Sequence, residues 1–241
     1  MQQRAPTSSP AQRWMTLIAV VLGIFMSTLD ASIVNIALPT LTHAFGADFA
    51  AVQWVVLSYM LVNVTLIPVV GRLADMLGKR RLYIAGFVCF TAASLACGLS
   101  GSLSALVAAR VAQGIGAAML HAIGPALITE VFPSGQRGRA LGITGAAVST
   151  GIVMGPSLGG VLLSVAPWQA IFLVNLPIGA LGAWMAWRHV RSQARPDVGA
   201  FDFAGAALLA TALVAFLLAL TQGQRMGFTD RRSLALLAVA G

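Results

Sequence analysis

Between residues 14 and 187 the sequence alternates long apolar runs with short polar links, and most of the runs reach or exceed 20 residues. A run of that length crosses the ~30 Å hydrocarbon layer of a bilayer as a helix. Inside a membrane every backbone N–H and C=O must be satisfied within the protein, which leaves only helices and closed barrels. Barrel strands would read as ~10-residue segments of alternating polarity; these runs are continuous. The expected fold class is therefore all-α, a polytopic transmembrane helical bundle.

Charge supports this. Only 9% of the 241 residues are charged and 58% are hydrophobic, against roughly 25% charged in soluble domains. The net charge of +8 would suggest nucleic acid in a soluble protein. Here the basic residues cluster in short links between spans, where they set orientation, so no nucleic-acid partner is expected.

The pattern predicts a polar tail at 1–13, then spans at 14–38, 51–70, 82–99, 103–128, 140–165 and 170–187, which together form a six-helix bundle over 14–187. A polar linker covers 188–203. A seventh span at 204–220 and the start of an eighth at 234 fill 204–241, and the shortness of that last run predicts that the chain is part of a longer one. On every second link Lys and Arg accumulate: Arg4 and Arg13, then Arg72, Lys79, Arg80 and Arg81, then Arg137 and Arg139, then Arg188, Arg191 and Arg195. The links at 40–50, 98–104 and 164–169 carry none. By the positive-inside rule the N-terminus is cytoplasmic and the protein is multi-pass in the cytoplasmic membrane. Arg225, Arg231 and Arg232 fall on the other side and break this pattern.

Ionised groups within spans are costly, about 2.5–3.5 kcal/mol on insertion scales, and mark ion and substrate paths. Asp30 and Arg110 are the two clear cases. Asp30 lies ~24 Å into the first span and Arg110 ~20 Å from the same face, at 1.5 Å per residue. At matching depth they form either a fixed ion pair locking two helices or a titrating, substrate-facing site. His121 follows Arg110 by eleven residues, which returns it to nearly the same helix face. It is either a hydrogen-bonded core histidine or a second cavity residue. Tyr59 and Asn63 share a face of the second span; with Asn35, Gln113 and His121 they are the candidate substrate-cavity residues, although ordinary packing accounts for them equally well. Asn175 precedes Pro177, and its amide is expected to satisfy the carbonyl that this proline frees. In the fifth span Ala147, Gly151, Gly155 and Gly159 recur every fourth residue, a strip that lets another helix approach closely. No nucleophile stands with a matching base, and there is no phosphate loop, carboxylate pair or zinc spacing. The chain is not expected to be an enzyme or to hold a metal or cofactor.

Several segments together resemble the major facilitator superfamily, and within it the 14-span drug/proton antiporters. They are Leu29-Asp30-Ala31-Ser32-Ile33-Val34-Asn35-Ile36-Ala37-Leu38-Pro39, the charged turn at 71–81, Arg110-Val111-Ala112-Gln113-Gly114-Ile115-Gly116, and the glycine-rich stretch at 151–160. Trp168, Ile171, Phe172, Asn175, Pro177 and Gly179 fit the sixth-span entry, and Asp202 and Gly205 the extra span after it. The resemblance implies inverted 3+3 repeats with alternating access and export of lipophilic, often cationic compounds driven by proton entry. It assigns proton coupling to Asp30 and Arg110. It assigns a conformational latch to Gly71, Arg72, Asp75, Gly78 and Arg80 with Glu130, Arg137 and Arg139, and an antiporter packing motif to Gly151, Gly155, Pro156, Gly159 and Gly160. The expected partners are protons, a small-molecule substrate, the lipid bilayer and a C-terminal half beyond residue 241. His121 departs from the family pattern, which has an apolar residue or proline there. The alternatives are a symporter or metabolite exporter on the same fold, since fold does not fix function, and a non-transporting membrane scaffold should the chain end at 241.

Overall fold

A computed structural model of the chain describes residues 9–191, together with 205, 208, 211–216 and 219. The eighth apolar run, most of the linker at 188–203 and about half of the seventh span lie outside the described residues.

Ser9 starts the first helix. Its Oγ accepts from the Gln12 amide at 3.3 Å, and Pro10 takes the first helical position, where a missing N–H costs nothing. Helix α1 (Pro10–Phe45) then runs 36 residues to Gly46 in the left-handed conformation, φ 58°. The expected end at Pro39 is not observed. Asn35 Nδ2 donates to the Ala31 carbonyl at 3.0 Å and Thr42 Oγ1 to the Leu38 carbonyl at 2.9 Å on either side of the proline. The proline itself removes one backbone bond, to the Asn35 carbonyl, and the loss of a single bond does not end a membrane helix.

A one-turn helix α2 (Phe49–Val52), capped by Asp48, leads into α3 (Trp54–Leu77). Residues 71–77, expected as part of a turn, are helical; the turn shrinks to Gly78, whose φ of 99° is open to glycine and strained for other residues. Helices α4 (Lys79–Gly98), α5 (Leu103–Val131) and α6 (Ser134–Val165) follow. Arg137 and Arg139 therefore sit on the first turns of α6 rather than in a link. The sixth span is two helices, α7 (Ala170–Leu173) and α8 (Asn175–His189), broken at Val174. Pro177 explains the break, because it has no N–H to donate back to Leu173.

Among the described residues six segments are long and apolar enough to cross a membrane, with α2–α3 and α7–α8 each counting as one. Helix α5 is central: it packs on α4 and α3 and more lightly on α1. Helix α1 packs on α6 and α8, and α8 also covers α4, while α1 and α3 barely meet. Large apolar side chains such as Val153, Val165, Trp184 and Trp187 face outward, as suits a lipid-facing surface in a multi-pass membrane protein.

The interior holds two apolar clusters. One gathers Leu17, Val20, Tyr83, Phe87, Phe90, Ile123 and Phe132 toward the end that carries the charged turn. The other gathers Leu29, Ile33, Val55, Cys97, Leu106 and Phe172 toward the opposite end. Asp30, Arg110 and Gln113 lie where they meet.

Candidate functional site

Asp30 and Arg110 are both fully buried and form an ion pair, Arg110 Nη1 to Asp30 Oδ2 at 2.6 Å. Removing two charges from water costs several kcal/mol per ion unless further hydrogen bonds satisfy them. Most of those bonds are present. Arg110 Nε donates to the Val55 carbonyl at 2.9 Å, and Nη1 also reaches Gln113 Oε1 at 2.6 Å. The guanidinium lies over the Tyr59 ring, 4.1 Å from its centroid, with Phe172 at 5.9 Å, a favourable placement for a desolvated cation. Asp30 Oδ1 accepts from Gln113 Nε2 at 3.0 Å and from Asn175 Nδ2 at 2.7 Å. Ser94 Oγ closes the cluster, accepting from Gln113 Nε2 at 2.7 Å and from Asn175 Nδ2 at 3.4 Å.

Five helices thus meet around one ion pair: α1 brings Asp30, α3 Tyr59, α4 Ser94, α5 Arg110 and Gln113, and α8 Asn175. Arg110 and Gln113 are three apart and share a helix face. Asn175 corrects the sequence reading, because its amide goes to Asp30 and not to the backbone near Pro177. It can do so because the break at Val174 sets it as the first residue of α8. Ser94 was missed altogether; one serine in an apolar run carries no spacing signal.

The other candidate cavity residues separate. Tyr59 is buried in the ion-pair cluster, its hydroxyl donating to the Ser27 carbonyl at 3.2 Å. His121 and Asn63 meet nearer the charged turn. His121 Nδ1 lies 3.2 Å from Asn63 Oδ1 and its Nε2 2.9 Å from Ser27 Oγ, so this ring joins α5 to both α1 and α3. Asn35 is exposed on α1, apart from both groups.

At the charged turn, Asp75 pairs with Lys79 at 3.2 Å, and Lys79 Nζ also bonds Glu130 Oε1. Lys79, absent from the expected latch set, is the link between the end of α3 and the end of α5. Arg80 Nη2 donates to the Trp187 carbonyl at 2.7 Å, tying α4 to α8. Arg137 Nε donates to the Phe132 carbonyl at 3.1 Å, and Arg139 lies 5.8 Å from the Trp14 ring centroid. These two arginines serve the α5–α6 corner and the start of α1. Gly71 and Gly78 carry no side chain to pair, and Arg72 lies one turn before Asp75 on α3.

On α6, Gly151, Gly155 and Gly159 are buried against α1. A Cβ on Gly151 would press on Thr28 and Leu29, one on Gly155 would collide with Ser32, and one on Gly159 would touch Ile33. Pro156 and Gly160 point away and are exposed. Ser32 Oγ donates to the Ile152 carbonyl at 2.9 Å across the same contact.

The chain is 39% identical over 212 residues to the riboflavin transporter RibZ of Clostridioides difficile (strain 630), covering 88% of this chain and 46% of that one. It is 40% identical over 227 residues to the multidrug resistance protein Stp of Mycobacterium tuberculosis (strain CDC 1551 / Oshkosh), covering 94% and 42%. The chain thus spans a little under half the length of these relatives. Among solved structures it resembles a bacterial homolog to the human lysosomal transporter Spinster in an inward-facing and occupied conformation, with a TM-score of 0.68 at 21% identity over 97% of this chain and 59% of that one. It is similar also to the human organic anion transporter MFSD10 (TETRAN), with a TM-score of 0.68 at 18% identity over 95% and 60%. With its residues 20–240 matching the family as a whole, the chain belongs to the Major Facilitator Superfamily.

Proposed function

We propose that the full protein is a proton-coupled multidrug efflux antiporter of the cytoplasmic membrane, with a cytoplasmic N-terminus, in which Asp30 and Arg110 couple proton entry to export. The observation that carries this reading is the burial of the Asp30–Arg110 pair at the junction of five helices. A proton on Asp30 cancels the charge that holds Arg110. It leaves a buried guanidinium without its counter-ion, a change worth about 3–5 kcal/mol when such a pair is broken. That is enough to shift a balance between two packings. An inward proton at 100 mV releases about 2.3 kcal/mol, which sustains a roughly 50-fold solute gradient at 1.4 kcal/mol per decade. The 40% identity to the multidrug resistance protein Stp supports drugs as the substrates, which we take to be lipophilic and often cationic compounds. We take the transport path to be shared with a second half of the bundle, as in relatives about twice this length, through inverted 3+3 repeats that rock around it. Within that scheme the Asp75–Lys79–Glu130 link is the latch on the charged-turn face.

The test is Asp30→Asn in the full-length protein, reconstituted in vesicles. Export driven by an imposed pH gradient is lost while substrate counterflow persists. Export that still tracks the gradient would remove Asp30 from the coupling role.

A second reading, a metabolite exporter or symporter, is favoured by the 39% identity to a riboflavin transporter. A counterflow screen separates the two: exchange of a polar metabolite in preference to lipophilic cations selects the second.

A further inference from the structure

The polar cluster contains two buried atoms without a hydrogen-bond partner, Arg110 Nη2 and Asn175 Oδ1, and only the second is an acceptor. Asp30 receives Arg110 Nη1 on Oδ2, and Gln113 Nε2 and Asn175 Nδ2 on Oδ1. All three are donors. They suit an ionised carboxylate, which only accepts. A protonated carboxyl also donates and needs an acceptor beside it. Gln113 Oε1 is not free: it accepts from Arg110 Nη1 at 2.6 Å and faces Cys97 Sγ at 3.7 Å. Turning that amide would set its NH2 against the guanidinium. The Val55 carbonyl is taken by Arg110 Nε. Asn175 Oδ1 is different, being buried with no hydrogen-bond partner.

An amide's oxygen and NH2 are close in size, so a half-turn of the Asn175 side chain exchanges them without repacking. The oxygen then faces Asp30, and the NH2 takes the unpartnered place, so one unpaired buried atom replaces another. Ser94 Oγ can follow, since a hydroxyl both accepts and donates. The titratable and charged groups around Asp30 are Arg110 on α5, Tyr59 on α3 and Cys97 on α4. Among the described residues α6, α7 and α8 bring none to this level.

We propose that Asn175 is the positioning residue that reads the protonation state of Asp30: its NH2 donates to the carboxylate, and after a half-turn its carbonyl oxygen accepts the carboxyl proton. One proton from the aqueous phase binds Asp30, and only hydrogen bonds rearrange. Gln113 stays fixed by Arg110, so Asn175 alone of the two amides turns. Asn175 opens α8 directly after the break at Val174, which places this turn at the joint of the sixth span. The inference rests on the coupling reading above.

Infrared difference spectra of the full-length protein in vesicles, taken across a pH jump, test it. The wild type shows a protonated-carboxyl band that is absent from Asp30→Asn, with an accompanying side-chain amide change that isotope-labelled asparagine identifies. Asn175→Leu, close in volume but with neither donor nor acceptor, moves the carboxyl band to higher wavenumber and lowers gradient-driven export at least tenfold while counterflow persists. Asn175→Ser, which can both donate and accept, returns the band toward its original position. A carboxyl band unmoved in Asn175→Leu overturns this inference alone. Should that variant fail to fold, a wild type whose asparagine amide bands stay silent as Asp30 protonates overturns it equally. A wild type with no Asp30-dependent band overturns the coupling reading, and this inference with it.

Discussion

Gly116 of α5 lies against the backbone of Phe90 in α4: a Cβ added to Gly116 would stand 2.6 Å from the Phe90 amide nitrogen and 2.8 Å from its Cα. Backbone inside a packed helix pair cannot step aside as a side-chain tip can. Gly116→Ala therefore forces α4 and α5 apart, at about 1–3 kcal/mol for overpacking of this kind. Gly23→Ala is the comparison. Its nearest neighbours are the far ends of Tyr83 and Phe87, at 2.8 and 3.0 Å, and it is expected to cost less. Thermal melting of the two variants in detergent gives the order; a Gly23→Ala loss equal to or larger than that of Gly116→Ala would contradict it.

Removing one member of the buried pair differs from removing both. Arg110→Gln takes the counter-ion from Asp30 and leaves its buried carboxyl facing amides alone, a loss of about 3–5 kcal/mol. In the double variant with Asp30→Asn no buried charge remains, and most of that loss is recovered. The two substitutions are therefore non-additive by more than 1 kcal/mol, as expected for residues in one network. The measurement is a double-mutant cycle on the melting of the full-length protein, and additive losses would mean that the pair is not coupled.

The bundle and its polar centre were legible to different degrees. Run length and charge spacing mark all six spans, because the bilayer imposes one length and excludes charge. Depth counting alone sets Asp30 level with Arg110, and Gln113 joins them by its three-residue offset. The ends were less legible. Pro39 and residues 71–77 read as helix breakers and turn, yet α1 and α3 continue through them, since backbone unsatisfied near the membrane costs more than a proline kink. Asn175 was misassigned for a related reason: a local rule about Pro177 competed with a partner 145 residues away on α1, and only the assembled bundle shows which prevails. In the sequence Lys79 is a topology signal alone, since its position between Asp75 and Glu130 depends on how α3, α4 and α5 end together.

That Lys79 link gives a prediction about rate rather than stability. The three side chains are between about a quarter and a third exposed, and pairs of this kind contribute about 0–1 kcal/mol. Lys79→Met is thus expected to leave the melting temperature nearly unchanged. It releases α3 from α5 on one face, and turnover falls several-fold while ligand affinity holds. High salt weakens the same link in the wild type by screening and should slow it in the same direction. Single-turnover and binding measurements on both proteins decide this. Lost binding in a folded Lys79→Met would show that the residue serves the ligand and not the latch.

His121 offers a test of where substrate is read. Its ring joins Ser27 on α1 to Asn63 on α3, two helices with little other contact. A neutral ring with its proton on Nδ1 donates to Asn63 Oδ1 and accepts from the Ser27 hydroxyl. Removing the ring strands little. Ser27 Oγ already lies 2.9 Å from the Gly23 carbonyl and 3.0 Å from that of Ile24, and Asn63 is only half-buried. His121→Leu is expected to cost about 1 kcal/mol of stability, the usual net worth of a hydrogen bond. If His121 and Asn63 line the cavity, the same change raises KM several-fold for substrates that carry hydrogen-bonding groups. It leaves KM for purely apolar cations and kcat for both nearly unchanged. His121→Gln, which can still bond Asn63, falls between the two. A transport panel on the three proteins provides the measurement. Equal KM values across that panel, with stability lowered as expected, would make His121 a helix-joining residue and move substrate recognition elsewhere in the bundle.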